Sequence, residues 1–113
     1  MNKQHSINYV ELTSNDLVAT KEFYSIAFGW TFTDWGETYS AIDNAGLDGG
    51  FELGEPKPGT ILVILYSEDL IRSLHAVQSA GGKIVTEPFN FPGGRRFHFS
   101  DPSGNELAVW SDK

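Results

Sequence analysis

Apolar and polar positions along the chain fall into two successions of one kind: an alternating strand, a helix ended by glycine, then three short strand-like runs. In the first, Ile7-Asn8-Tyr9-Val10-Glu11-Leu12 alternates, placing Val10 and Leu12 on one face and Ile7, Tyr9 and Glu11 on the other. Ser14 or Asn15 is positioned to cap a helix running from Asp16 to Phe28. Leu17, Tyr24, Ala27 and Phe28 form its apolar stripe, with the small Thr20 between them, and Gly29 stands where a left-handed C-terminal cap is wanted. Strands are predicted over Trp30–Asp34, Thr38–Ile42 and Gly49–Leu53, and Glu55-Pro56-Lys57-Pro58-Gly59 then breaks the pattern.

The second succession opens on Thr60–Tyr66, an almost wholly apolar run that predicts a central strand. Ser67 is placed to cap a helix with Leu70, Ile71, Leu74 and Val77 on one face, ended by Gly81-Gly82. Strands follow over Lys83–Phe89, Arg95–Ser100 and Asn105–Ser111, the last two joined by Asp101-Pro102-Ser103-Gly104, which has the chemistry of a type I turn. A shift of 53 residues places Asp16 on Asp69 and Gly29 on Gly82 without a gap. The pattern predicts one α+β domain over residues 1–113, a first module over about 5–55 and a second over about 60–113, whose cupped half-sheets enclose a pocket.

Composition narrows the partners. Fifteen acidic against eight basic residues give a net charge of −7, which argues against nucleic acid and against an anionic membrane surface. With no Cys there is no disulfide, thiolate nucleophile or Cys-bound metal, as suits a reducing cytoplasm, and no apolar run reaches membrane length. A soluble cytoplasmic protein is expected. Three Trp, four Tyr and eight Phe are many for 113 residues, and suit small-domain packing or an aromatic cavity.

Three stretches carry a resemblance that runs end to end: Asp16-Leu17 with Lys21-Glu22-Phe23-Tyr24 and Phe28-Gly29-Trp30; Ala80-Gly81-Gly82-Lys83; and Gly93-Gly94-Arg95 leading into Asp101-Pro102-Ser103-Gly104-Asn105-Glu106. In these the sequence resembles the glyoxalase, bleomycin-resistance and extradiol-dioxygenase superfamily, the vicinal oxygen chelate proteins, and within it the small metal-poor glyoxalase-related members. The resemblance implies two βαβββ modules forming a curved mixed sheet around a cleft, with helices on the outer face, commonly in a homodimer. It also implies metal ligands on the first and last strand of each module. Counting from the Asp residues that open the helices and the last turn, those positions fall on Tyr9, Leu62 and Ala108, with the fourth near Phe51 and Glu52. At least three of the four positions therefore hold poor or impossible ligands, so no metal cofactor is expected, against the divalent metal of the wider superfamily.

Alternation gives a separate estimate of the cleft lining. With Phe97, Phe99, Leu107 and Val109 toward the helices, Arg96, His98, Glu106, Ala108 and Trp110 face the cleft, joined by Ile7, Tyr9, Glu11, Glu52, Leu62, Ile64 and Tyr66. The ligand-binding candidates are therefore Tyr9, Glu11, Glu52, Leu62, Tyr66, Arg96, His98 and Trp110. Glu11 among apolar neighbours is expected to have a raised pKa and is a candidate base; the competing reading pairs it with Arg96 or leaves it at the rim. His98 is a candidate acid or base, or a structural hydrogen-bonding group, and Tyr9 a candidate donor to an oxyanion. His75 reads as structural on its helix, His5 as a residue of the frayed start, and Trp30 as packed under the first helix. Trp35 and Tyr39 are candidates to stack on a flat ligand. Arg95 and Arg96 form the paired positive charge, of which one reaches the pocket. A metal site outside the family pattern, from Glu11, Glu52, His98 and Glu106, is a further alternative.

Three functions follow. The first is binding of a small apolar or aromatic molecule without turnover; the second a metal-independent lyase or isomerase acting beside a carbonyl, with Glu11 or His98 as base; the third a metal-dependent glyoxalase or dioxygenase. The expected partners are a small molecule and a second copy of the chain.

Overall fold

A computed structural model describes residues 4–5, 7–59 and 61–113. The first module comprises β1 (Tyr9–Ser14), α1 (Leu17–Phe28), β2 (Phe32–Asp34), β3 (Tyr39–Ile42) and β4 (Asp48–Leu53). The second comprises β5 (Val63–Tyr66), α2 (Leu70–Ser79), β6 (Lys83–Phe91), β7 (Gly94–Ser100) and β8 (Glu106–Ser111). Each builds a four-stranded sheet, in the orders β1-β4-β3-β2 and β5-β8-β7-β6. β1 runs parallel to β4 and β5 to β8, while the remaining pairs are antiparallel. The duplicated plan is thus present strand for strand.

Both helices are capped two residues later than the serines suggest. Asp16 and Asp69 are the N-caps, accepting from Ala19 N at 3.1 Å and Arg72 N at 3.2 Å. Ser14 and Ser67 instead accept from the capping Asp backbone N–H, at 3.0 and 3.1 Å, and reach into the helix to Thr20 and Ser73, each at 2.7 Å. A carboxylate two residues further on sits closer to the free N–H groups of the first turn, so it displaces the hydroxyl from that role. Gly29 ends α1 at φ 73°, where a Cβ would be strained.

One core joins the modules. Tyr24 stacks on Trp30, with centroids 4.8 Å apart, and leans on Phe51 of β4. Phe23 and Phe28 reach Phe99 of β7, so α1 touches the inner faces of both sheets. Phe51, Phe97 and Phe99 are completely buried, and each stabilises the fold by roughly 2–3 kcal/mol through burial. Phe23 belongs to this core although the stripe read from Leu17 passes it by; conversely Ile71 is 41% exposed, because the buried stripe of α2 is Leu70, Leu74 and Val77.

β5 is an edge strand, not a central one: it pairs only with β8, and Ile61 and Leu62 precede it outside the ladder. Thr60 lies outside the described residues. The run is apolar because Val63 and Leu65 pack against the shared core, while Ile64 and Tyr66 remain about half exposed on the opposite face. β1 is likewise an edge, and no ladder connects it to β5, so the curved sheet is built as two separate halves within one chain.

Candidate functional site

Because α1 fills the space between the two inner faces, the outer faces of the sheets carry the residues that alternation assigns to the cleft. They form two groups. On the first sheet Tyr9, Glu11 and Glu52 point outward; on the second, Arg96, His98, Glu106 and Trp110 do, with Ile64 and Tyr66 beside them on β5. Among the described residues no ion pair joins Glu11 to Arg96.

The first group centres on Gly50. Tyr9 and Tyr39 meet hydroxyl to hydroxyl across it, and a Cβ on Gly50 would strike both phenol oxygens. Glu11 lies directly opposite Gly50 in the ladder, and its carboxylate acts on the Tyr39 phenol. Burial, and then Tyr9 and Glu11, push the Tyr39 phenol well above its ordinary pKa. Glu11 is exposed, so the apolar surround expected for it is not supplied within one chain. A depression of about 280 Å³ beside it is lined by Tyr9, Thr33, Trp35, Ala41 and Asp48. Tyr39 is the member that alternation alone misses: its face is legible in Thr38–Ile42, but its partners depend on which residue of β4 lies beside it.

The second group is built on β7 and β8. His98 Nδ1 lies 2.8 Å from Glu106 Oε2. Arg96, opposite Trp110 on one side and Phe89 on the other, has its guanidinium carbon 5.3 Å from the Phe89 ring and 5.6 Å from the Phe91 ring. Trp110 continues the surface to Tyr66 at 5.3 Å, and the Tyr66 hydroxyl donates to Asp112 at 2.7 Å, which raises its pKa. Arg95 alternates to the other face, as adjacent strand residues must. His75 is exposed on α2, and Trp30 is buried under α1.

A cavity of about 650 Å³ lies at the junction of the modules. Val10 and Leu12 of β1 and Val63 to Tyr66 of β5 form its walls, Phe28 and Trp30 its aromatic floor, and Asn44, Asp48 and Ser73 add polar groups. Of the cleft residues read from alternation, Ile64 and Tyr66 line it. Val10 and Leu12 read as core from their alternation; that they border a cavity follows from β1 and β5 standing unpaired, which no local pattern encodes.

The register also fixes the fourth ligand position. By the internal repeat Glu11 corresponds to Ile64; Glu11 lies opposite Gly50 and Ile64 opposite Ala108, so Gly50 is the counterpart of Ala108. The four positions thus hold Tyr9, Gly50, Leu62 and Ala108, a donor set that does not fit a divalent metal. The alternative set is divided between the two faces, Glu11 and Glu52 on one and His98 and Glu106 on the other. Among the described residues no three His, Asp or Glu side chains converge as a metal site would need.

Two βαβββ modules, each with its parallel outer pair and antiparallel hairpins around one helix, define the class of paired-module proteins to which the fold belongs. The chain is a member of the Glyoxalase/Bleomycin resistance protein/Dioxygenase superfamily, whose sequence profile matches residues 6–109. It is 28% identical over 126 aligned positions to the anthracycline biosynthesis protein DauV of a Streptomyces species, covering 90% of this chain and 45% of that protein. The chain therefore spans about half the length of that relative. In structure it resembles a glyoxalase-related enzyme from Fulvimarina pelagi, with a TM-score of 0.82 at 18% identity over 95% of this chain and 88% of the other. A lactoylglutathione lyase from Agrobacterium tumefaciens is similar at a TM-score of 0.76 and 15% identity, over 97% and 96% of the two chains. At such identities the structural likeness shows the fold alone. No helix among the described residues is long and apolar enough to cross a membrane.

Proposed function

We propose that this protein binds a small apolar or aromatic molecule, without turnover and without the divalent metal of the wider superfamily. The observation that carries this reading is the junction cavity, whose volume of about 650 Å³ and mixed apolar, aromatic and sparsely polar lining suit a drug-sized molecule. The poor donor set at Tyr9, Gly50, Leu62 and Ala108 supports the metal-free part of it. The reading further takes the protein as a cytoplasmic homodimer, in which a second copy brings an outer face bearing Tyr9, Glu11 and Glu52 against one bearing Leu62, Tyr66, Arg96, His98 and Trp110. A library of small aromatic compounds, scored by thermal shift against the native chain and Ala45→Trp, tests it. Ala45 is exposed on the β3–β4 loop at the cavity wall, so a tryptophan there narrows the cavity without disturbing the core. Ligands lost in Ala45→Trp support the reading; ligands indifferent to it overturn the cavity as the site.

A second reading rests on the Tyr9–Tyr39 hydrogen bond and on Glu11 beside it over Gly50. Here Glu11 takes a proton from the carbon beside a carbonyl, the bonding pair moves onto the carbonyl oxygen, and Tyr9 donates its hydroxyl to the oxyanion. His98 is the alternative base. Glu11→Gln should lower turnover of any substrate found by roughly 100-fold or more. Unchanged turnover removes Glu11 from the role.

A further inference from the structure

Two buried nitrogens on the outer face of the second sheet have no partner among the described residues: Arg96 Nε and His98 Nε2. They come from alternate residues of β7, so both point the same way. Leaving a buried donor unpaired costs on the order of 1–3 kcal/mol, more when the group is charged, and two together at one spot are uncommon in a folded protein. Arg96 also lacks a carboxylate, since the ion pairs of the described residues are Lys21–Asp34, His98–Glu106 and Lys113–Glu68. A partly buried guanidinium without an anion, beside a second unpartnered nitrogen, is a place where an external anion can be received.

What covers these nitrogens is Phe89. Its ring lies 5.3 Å from the Arg96 guanidinium carbon and 5.9 Å from the His98 ring, yet is itself 36% exposed. It sits on β6, an edge strand whose pairing with β7 shifts register between Ile84 and Thr86 and again between Thr86 and Phe89. The ladder resumes at Phe89 itself, opposite Arg96, on the edge strand and directly after the second irregularity. Phe91 and Trp110 flank the same guanidinium and remain as aromatic walls.

We propose that Arg96 and His98 form a subsite for the carboxylate of a small aromatic acid, and that Phe89 occupies the place of the ligand's ring until it binds. The carboxylate accepts the Arg96 Nε–H. His98, whose Nδ1 is engaged by Glu106 at 2.8 Å, turns Nε2 toward the same spot, where an N–H on that nitrogen supplies a second donor to the carboxylate. The ligand's ring takes over the stacking on Arg96 that Phe89 provides in its absence. This subsite lies apart from the junction cavity, with none of whose lining residues it coincides, and is therefore a second small-molecule site of the chain.

The test compares 2-naphthoate with 2-naphthamide, an acid and its neutral analogue of nearly equal shape, by calorimetric titration of the full chain. The acid should bind about tenfold or more tightly than the amide, the expected effect of one charge-assisted hydrogen bond. Arg96→Gln should abolish that preference, weakening the acid by the larger factor because the amide loses only its stacking on the guanidinium, whereas Phe89→Ala should tighten the acid by removing its competitor. Equal affinity of the native chain for both probes overturns the carboxylate subsite while leaving small-molecule binding intact. Failure of both to bind up to millimolar concentration overturns the aromatic-acid assignment, and the compound library with Ala45→Trp then decides separately whether the cavity binds anything.

Discussion

The Tyr24 hydroxyl donates to Asp101 Oδ2 at 3.0 Å, and this buried bond ties α1 of the first module to the β7–β8 turn of the second. Asp101 also accepts from the backbone N–H groups of Ser103 and Asn105, and from the Asn105 side chain, which in turn donates to the Thr13 carbonyl at 2.7 Å. The turn motif is therefore the polar seam between modules as well as a hairpin. Tyr24→Phe should destabilise the chain by about 1–3 kcal/mol, because Asp101 keeps its burial but loses a donor. Urea unfolding with an unchanged slope and a lowered midpoint is the expected result.

The same phenol sets a limit on alkaline stability. Burial, and then the neighbouring Asp101 carboxylate, raise its pKa well above 10. Below pH 10 the group is protonated in folded and unfolded chains alike, and its contribution is fully present. As pH rises beyond that value the unfolded chain ionises first, so stability falls progressively toward the folded pKa. Unfolding free energy measured between pH 8 and 11.5 should decline from about pH 10 in the native chain and less steeply in Tyr24→Phe. Tyrosinate absorbance should lag behind four free phenols until the chain unfolds, since Tyr39 and Tyr66 are raised as well.

Gly50→Ala should separate the Tyr9 and Tyr39 hydroxyls while preserving the fold, because the atoms struck are the outer ends of two surface-facing side chains. We expect a loss of about 1 kcal/mol and a downward shift of the Tyr39 phenol titration. A large loss of stability, with unfolding intermediates, would place the two tyrosines in the core of the fold instead.

Elemental analysis of the unchelated protein, before and after incubation with Ni²⁺, Zn²⁺, Fe²⁺ or Mn²⁺ and washing, should find well under one metal per chain. A stoichiometric metal would overturn the correspondence of Gly50 with Ala108 and bring metal-dependent lyase or dioxygenase chemistry to the front.

Much of the fold is legible locally. The alternation of Val10 and Leu12 against Tyr9 and Glu11, the cap at Gly29 and the gapless repeat from Asp16 to Asp69 are short-range signals, because strand and helix periods place side chains on faces without reference to the rest of the chain. Legibility fails where two elements must be compared. Phe23 and Ile71 exchange their expected places because burial depends on which neighbour a helix meets. The edge position of β5 is hidden because an apolar run reads alike whether its second face meets a sheet or a cavity.

For the site the division is similar. Sequence by itself determined the two-module plan, the superfamily and the faces on which Tyr9, Glu11, Arg96 and His98 lie. Only the tertiary structure decided that these faces fall into two groups within one chain, that Tyr39 joins Tyr9 and Glu11 over Gly50, that Phe89 covers two unpaired nitrogens, and that the unjoined edges of β1 and β5 border a cavity. The physical reason is that a side chain's face is set by backbone geometry over a few residues. Its neighbours across strands and between modules are set by register and helix docking, which depend on the packing of the whole core.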